Sequence, residues 1–200
     1  MIDTTLKFIG TELESYIQRE IDSETDVLLE NIALFETNQK VDLEGIVISL
    51  VNIEEESAMK NSPAVKKNGA MGIEYVNPPV FLNLYVLMCA NFPGKDYLDA
   101  LNRLSGVIRF FQIKNSFMIT PAFLNQNPGG PEDIQRLKIT LELYTLTFEQ
   151  LNHLWGALGG RQLPFVMYKV RMASIYDRRV TIEGPPIEII ENSTVQIEQK

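Results

Sequence analysis

Two prolines followed by nine almost uninterrupted apolar residues constrain this chain more than any other feature of it. Pro78-Pro79 leads into Val80-Phe81-Leu82-Asn83-Leu84-Tyr85-Val86-Leu87-Met88. Proline cannot donate to a strand ladder and so fits only its beginning, which makes this run the strongest strand in the sequence. A second run, Leu43 to Ile53, alternates Ile46, Ile48 and Leu50 against Val47, Ser49 and Val51. With both faces largely apolar, it belongs centrally in a sheet, covered by helices.

Helices to cover such a sheet are visible in the spacing. Ile2, Leu6, Ile9, Leu13, Ile17 and Ile21 recur at steps of three or four, the period of one helical face, with Asp3 or Thr4 available to the first-turn amides and Asp22-Ser23 marking the end. Asn91-Phe92-Pro93-Gly94 predicts a turn. Beyond it Tyr97, Leu101, Leu104, Ile108 and Phe111 predict a second helix with Asp96 as its cap. Thr147-Phe148-Glu149-Gln150 fits a capping box, with Leu146 and Leu151 as a hydrophobic staple, and Gly159-Gly160 ends that third, short helix.

Further strands are predicted at Val27 to Phe35, around Phe117-Met118-Ile119, at Leu137 to Leu143 and from Phe165 to Met172. The expected fold is therefore α/β (α+β), a mixed or antiparallel central sheet flanked by two or three helices. Residues 54 to 77 are polar and rich in Gly, Pro and charge, either a functional loop or a solvated hairpin. After Asp177 the composition changes. Arg178-Arg179 and Gly184-Pro185-Pro186 precede two alternating pieces, Ile187/Ile189 and Val195/Ile197. The domain is expected to occupy residues 1–177. Residues 178–200 form an extension too short for its own core, frayed or ordered only against another surface.

Composition narrows the function classes. A net charge of -8 and a pI near 4.8 disfavour a grip on nucleic acid phosphates and give no pull toward an anionic membrane. The N-terminus lacks a basic n-region and an apolar h-region, and no stretch approaches the roughly 20 apolar residues of a membrane span. The chain is expected to be made and kept in the cytoplasm, leaving it only inside a larger particle.

Little in the sequence suggests chemistry. Cys89 is the single cysteine and lies in the run Leu84 to Ala90, a buried filler without a nearby base. His153 is the single histidine, which excludes His-rich metal sites and sends any Ser-His-carboxylate triad through one residue of a short helix. Glu54-Glu55-Glu56 reads as a solvated face. Gly156-Ala157-Leu158-Gly159-Gly160-Arg161 follows a helix instead of opening one and lacks a phosphate-loop ending. No enzyme, metal site or cofactor is expected.

Three segments in order carry a resemblance. Pro78-Pro79-Val80-Phe81-Leu82-Asn83-Leu84-Tyr85 with Ala90-Asn91-Phe92-Pro93 is the first. Tyr97-Leu98-Asp99-Ala100-Leu101 running into Leu104 to Gln112 is the second. Leu151-Asn152-His153-Leu154-Trp155-Gly156-Ala157-Leu158-Gly159 with Leu163-Pro164 and Tyr168-Lys169-Val170-Arg171 is the third. Over roughly residues 1 to 177 the chain resembles the N-terminal domain of cap proteins of extracellular contractile injection systems, a group that includes virulence cassettes and antifeeding prophages.

The resemblance implies a fold similar to phage tail terminators and a homo-oligomeric ring, expected to be sixfold, on the last layer of sheath and inner tube. Its implied work is to stop polymerisation and hold sheath and tube together. Pro78 and Pro79 belong to the motif. Within it Leu82 and Leu84 would pack the sheet, Asn91 and Pro93 shape the turn, Trp155 anchor the short helix and Gly159 end it; no catalytic residue is carried over. Some relatives continue into a further domain, so a one-domain variant is implied. Ile187, Ile189, Val195 and Ile197 are the expected partner-binding residues, with no nucleic acid and no direct membrane contact. Another ring-forming tube or baseplate adaptor of the same machine is the second reading, and a small carboxylate-using enzyme the third.

Overall fold

A computed structural model of the chain describes residues 1–34, 44–56, 65–68, 72–76, 80–93, 96–120, 123, 137–159, 162–175 and 180–184. The chain divides into two compact units, Met1–Lys60 with Val80–Ile175 and Asn61–Pro79 with Tyr176–Lys200. In the first, β5 (Val80–Asn91) lies between β2 (Gly45–Glu55) and β8 (Phe165–Ile175), antiparallel to both. β7 (Leu137–Leu143) and β6 (Ser116–Ile119) extend the sheet on one side. On the other side β1 (Val27–Leu29) pairs with β2 in parallel. The order β1-β2-β5-β8-β7-β6 makes a mixed sheet.

Successive side chains of a strand point to opposite faces, and β5 needs cover on both. Leu84, Val86, Met88 and Ala90 join one core with α1 (Ile2–Glu20) and α2 (Tyr97–Ile113). Tyr85, Leu87 and Cys89 join a smaller one with α3 (Phe148–Ala157). Burial of each large apolar side chain contributes about 1.5–3 kcal/mol, so this strand ties three helices to one sheet. Of the expected α/β (α+β) class with a mixed or antiparallel sheet and two or three helices, the described residues form the mixed sheet with α1, α2 and α3.

Several local expectations are corrected. The strand expected over Val27 to Phe35 is only Val27–Leu29, followed by a 3-10 turn at Ile32–Leu34. The Ser49 hydroxyl accepts from the Ile32 amide at 3.0 Å and donates to the Glu30 carbonyl, and Ile32 is buried with Leu87 and Cys89. Reaching that core takes the chain off the sheet edge. β2 is deeply buried only from Gly45 to Ser49, while Leu50 and Ile53 are exposed. Asp96 holds the N-cap position of α2 without a side-chain cap bond, and no side chain caps α1. The Asp3 carboxylate accepts from the Met1 ammonium at 2.7 Å.

The buried face of α2 is also turned from the expected stripe. Leu104 and Phe111 are buried as expected, but Tyr97 is 67% exposed and Ile108 40%. Ala100, Arg103, Val107 and Phe110 face inward with them. Arg103 is the residue that the apolar spacing hides. Its Nε donates to Thr25 Oγ1 at 2.9 Å, its terminal nitrogen pairs with Asp22, and its guanidinium lies 4.5 Å from the centre of the Phe92 ring. It thereby joins the end of α1, the approach to β1 and the exit of β5. Sequence spacing reads an Arg as solvent-facing, yet a paired Arg buries its stem readily.

In the second unit β3 (Val65–Asn68), β4 (Gly72–Val76) and β9 (Val180–Gly184) form a small antiparallel sheet in that order. Of the two readings of residues 54 to 77, a hairpin is the one seen at 65–68 and 72–76. The first strand of the C-terminal region pairs with it, Tyr75 opposite Ile182.

Two sets of measurements test this packing. Gly45 has φ +140°, and a Cβ there would lie 2.6 Å from the Asp26 carbonyl oxygen. Gly45→Ala should lower unfolding stability in urea by about 2 kcal/mol or more. At Gly10 a Cβ would meet only Leu29 and Val27 at 3.9 and 4.0 Å, so Gly10→Ala should raise stability by about 0.5–1 kcal/mol.

The hydrogen bond from Arg103 holds the Asp22 carboxyl at about 2, below its usual 3.8, helped by the Glu24 amide and Thr25. A folded-state value below the unfolded one gives stability that is complete above pH about 4 and lost as pH falls toward 2. Urea titrations between pH 5 and 2 should show that loss. Arg103→Met should remove most of it while costing about 3 kcal/mol at neutral pH.

Candidate functional site

The side chains best suited to chemistry are engaged in holding the fold. Cys89 is fully buried and burial alone pushes its thiol far up, so it is not a thiolate nucleophile. His153 is exposed on α3. The glutamate run is not simply a solvated face. Glu54 accepts from the Tyr85 hydroxyl at 2.7 Å and Glu56 from the Asn83 amide at 3.0 Å. Tyr85 and Asn83 are buried polar residues of β5 that need such partners. The bond to Glu54, then burial, pushes the Tyr85 phenol up to about 12. Among the described residues no three His, Cys, Asp or Glu side chains are grouped to hold a metal ion, and no helix is long and apolar enough to cross a membrane.

α3 is built as its sequence says. Gln150 N–H donates to Thr147 Oγ1 at 3.3 Å and Thr147 N–H to Gln150 Oε1 at 3.0 Å, a complete capping box. Leu146 and Leu151 pack on the same core. Trp155 is buried with its ring 5.4 Å from Phe165, edge to face. Gly159 follows with φ +107°.

The other motif residues fall as follows. Leu84 is fully buried and Leu82 half-buried against the larger core. Asn91 is buried at the end of β5 opposite Gly45, and Pro93 is exposed in the turn after it. Pro78, Pro79, Ile187, Ile189, Val195 and Ile197 lie outside the described residues.

What remains open is surface suited to contact. Phe148 is 87% exposed at the start of α3, and Leu98 is 75% exposed in the first turn of α2. These were not singled out by periodicity because an exposed apolar residue looks the same in sequence as a buried one; their position off the inward face was the available signal. A groove runs between α1 and the outer edge of β1, lined by Lys7, Gly10, Thr11, Glu14, Leu29 and Phe123. A neighbouring hollow shares Lys7 and Leu29 and adds Leu6 and Leu50. Its walls carry the charged Asp3, Lys7 and Glu30 among apolar side chains.

Fold and surface together define an α+β module in which Glu54, Glu56, Asn83, Tyr85 and Arg103 have internal partners and Leu98 and Phe148 stand exposed. The chain belongs to the Pvc16 N-terminal domain family, which it matches over residues 4–189. No curated protein sequence matches it significantly. In structure it is similar to the sheath/tube terminator of the extracellular contractile injection system PVC in its extended state. That match has a TM-score of 0.55 and 14% identity, covering 99% of this chain and 64% of the other. It is also similar to the anti-feeding prophage cap, the AFP tube-terminating cap, with a TM-score of 0.53, 14% identity and coverage of 97% and 61%. The chain thus spans less than two thirds of either relative.

If Trp155 anchors α3, Trp155→Ala should cost about 3–5 kcal/mol. Hydrogen exchange should then show the amides of 148–157 losing protection before those of β5.

Proposed function

We propose that this chain is a structural cap that forms a ring, sixfold in the expected assembly, at the end of a contractile injection system. There it stops polymerisation of tube and sheath and couples the two. The observation that carries the reading is the family match over residues 4–189, joined to a fold shared with two proteins described as a terminator and a cap. A terminator acts through geometry. One face repeats the contacts of a tube or sheath subunit, and the opposite face offers the next layer nothing equivalent. Residues 178–200 supply part of the first face, through Ile187/Ile189 or Val195/Ile197. The chain works without cofactor, metal or catalytic residue, touches neither nucleic acid nor membrane, and joins the particle in the cytoplasm, within which it leaves the cell.

The commitment of Glu54, Glu56, Tyr85 and Asn83 to one another favours this over a carboxylate enzyme. A baseplate or tube adaptor of the same machine would share the family match and differ in position. Particles assembled without this chain should show tubes of scattered length and ragged ends distal to the baseplate in electron micrographs. Uniform length and intact tips in its absence would overturn the reading, and label found at the baseplate end would replace it with the adaptor.

A further inference from the structure

The open surface of α2 differs between its ends and its middle. Leu98, Asn102, Ser105, Arg109 and Gln112 follow one outer line of the helix at steps of three or four, all exposed. Only the first of them is apolar. The other strongly exposed apolar residues of α2, Tyr97 at 67% and Ile113 at 71%, belong to its first and last turns. An apolar side chain left in water contributes little to folding, so these ends are where α2 has something to offer another surface.

The two ends carry opposite charge. At the first, Asp96 holds the cap position without making a cap bond, and Asp99 is exposed. The nearby Arg103 is already paired with Asp22 and stands 4.0 Å from Asp99; Lys95 lies outside the described residues. At the last turn a cleft opens between α1 and α2. In it Lys114 pairs with Glu12 at 3.0 Å and Arg19 with Glu20 at 2.8 Å. That leaves Arg109 as the cation of the cleft without a partner among the described residues, beside the apolar walls of Tyr16 and Ile113. The helix dipole favours acid at the first turn and base at the last, which accounts for the signs. It does not account for a carboxylate that leaves its own cap unmade, nor for the apolar side chains next to it in solvent.

Tip and cleft complement each other. The tip is convex and acidic and carries Leu98; the cleft is concave, carries Arg109 and has apolar walls. Brought together end-on, they cover apolar surface on both sides and give Asp96 and Arg109 the partner that each lacks. A helix of 17 residues sets them about 25 Å apart, so no copy can fill its own cleft. Every copy owns one tip and one cleft, and a contact between unlike patches repeats from copy to copy until the rotation closes it into a ring. The alternative within α2, side-by-side pairing about a two-fold axis, would set the polar Asn102 and Ser105 at its centre.

We infer that the N-terminal tip of α2 in one copy docks end-on in the α1/α2 cleft of a second copy, with Leu98 against Tyr16 and Ile113 and Asp96 on Arg109. This rests on the ring proposed above and specifies the contact that closes it, head to tail.

The test uses the full chain carrying Leu98→Cys and Ile113→Cys together. The helix holds these two too far apart to bond within one copy, and Cys89 is buried. Mild oxidation, of the free chain where it is oligomeric and of assembled particles where it is not, should give a ladder of covalent trimers and larger forms. Adding Arg109→Glu should cut that ladder at least tenfold. Adding Asp96→Lys to Arg109→Glu should restore it, a rescue that mere loss of folding would not show. Linked dimers with nothing larger mean a two-fold contact and overturn the docking, and so does the absence of any link between copies in both settings; the cap reading survives either result. That reading fails separately, on tubes of uniform length and intact tips in particles made without the chain, and takes this contact's role in the ring with it.

Discussion

Everything in the larger unit depends on β5 being buried on both sides at once. A strand covered on one face needs a single helical layer, but this one sends Leu84, Val86 and Met88 to one side and Leu87 and Cys89 to the other. No single helix can serve both. The chain answers with unequal layers. α1 and α2 form the thick side, and the ten-residue α3 with the Ile32 turn forms the thin one. Beyond α3 the same sheet face turns polar, and there Glu54 and Glu56 become necessary. They accept from the Tyr85 hydroxyl and the Asn83 amide of β5.

This division separates the internal polar ties from the exposed apolar side chains. The polar groups that might have formed a reactive centre are tied in pairs near the sheet, and so are Arg103, Asp22 and Thr25 at the junction of three elements. Apolar groups left outside, Leu29, Leu98 and Phe148 among them, lie away from those ties. A surface of that kind suits contacts that must be geometrically faithful, because the backbone behind each contact is fixed by internal bonds.

Much of the frame was legible in the residues. The runs in β2 and β5, the alternation of Leu137, Ile139 and Leu141 and the Thr147–Gln150 box each depend on near neighbours, and each formed where expected. What escaped depended on distant partners. The short β1 follows from Ser49 drawing the chain aside, and the turned face of α2 from Arg103 finding Asp22, 81 positions earlier. Neither has a local signature. The candidate site was less legible still. Its outer wall is a glycine in a helix and a leucine in a strand, residues that look like a packing blemish and a core position until α1 and β1 are set side by side.

The single cysteine has a further consequence. Cys89 sits near the C-terminal end of the most enclosed strand, its sulfur shut off from oxidants and from other thiols. Oxidation and exchange both need an accessible thiolate. While β5 stays folded, the one cysteine is therefore kept from forming a disulfide. In that one respect the folded chain presents the same covalent form to a reducing medium and to an oxidising one.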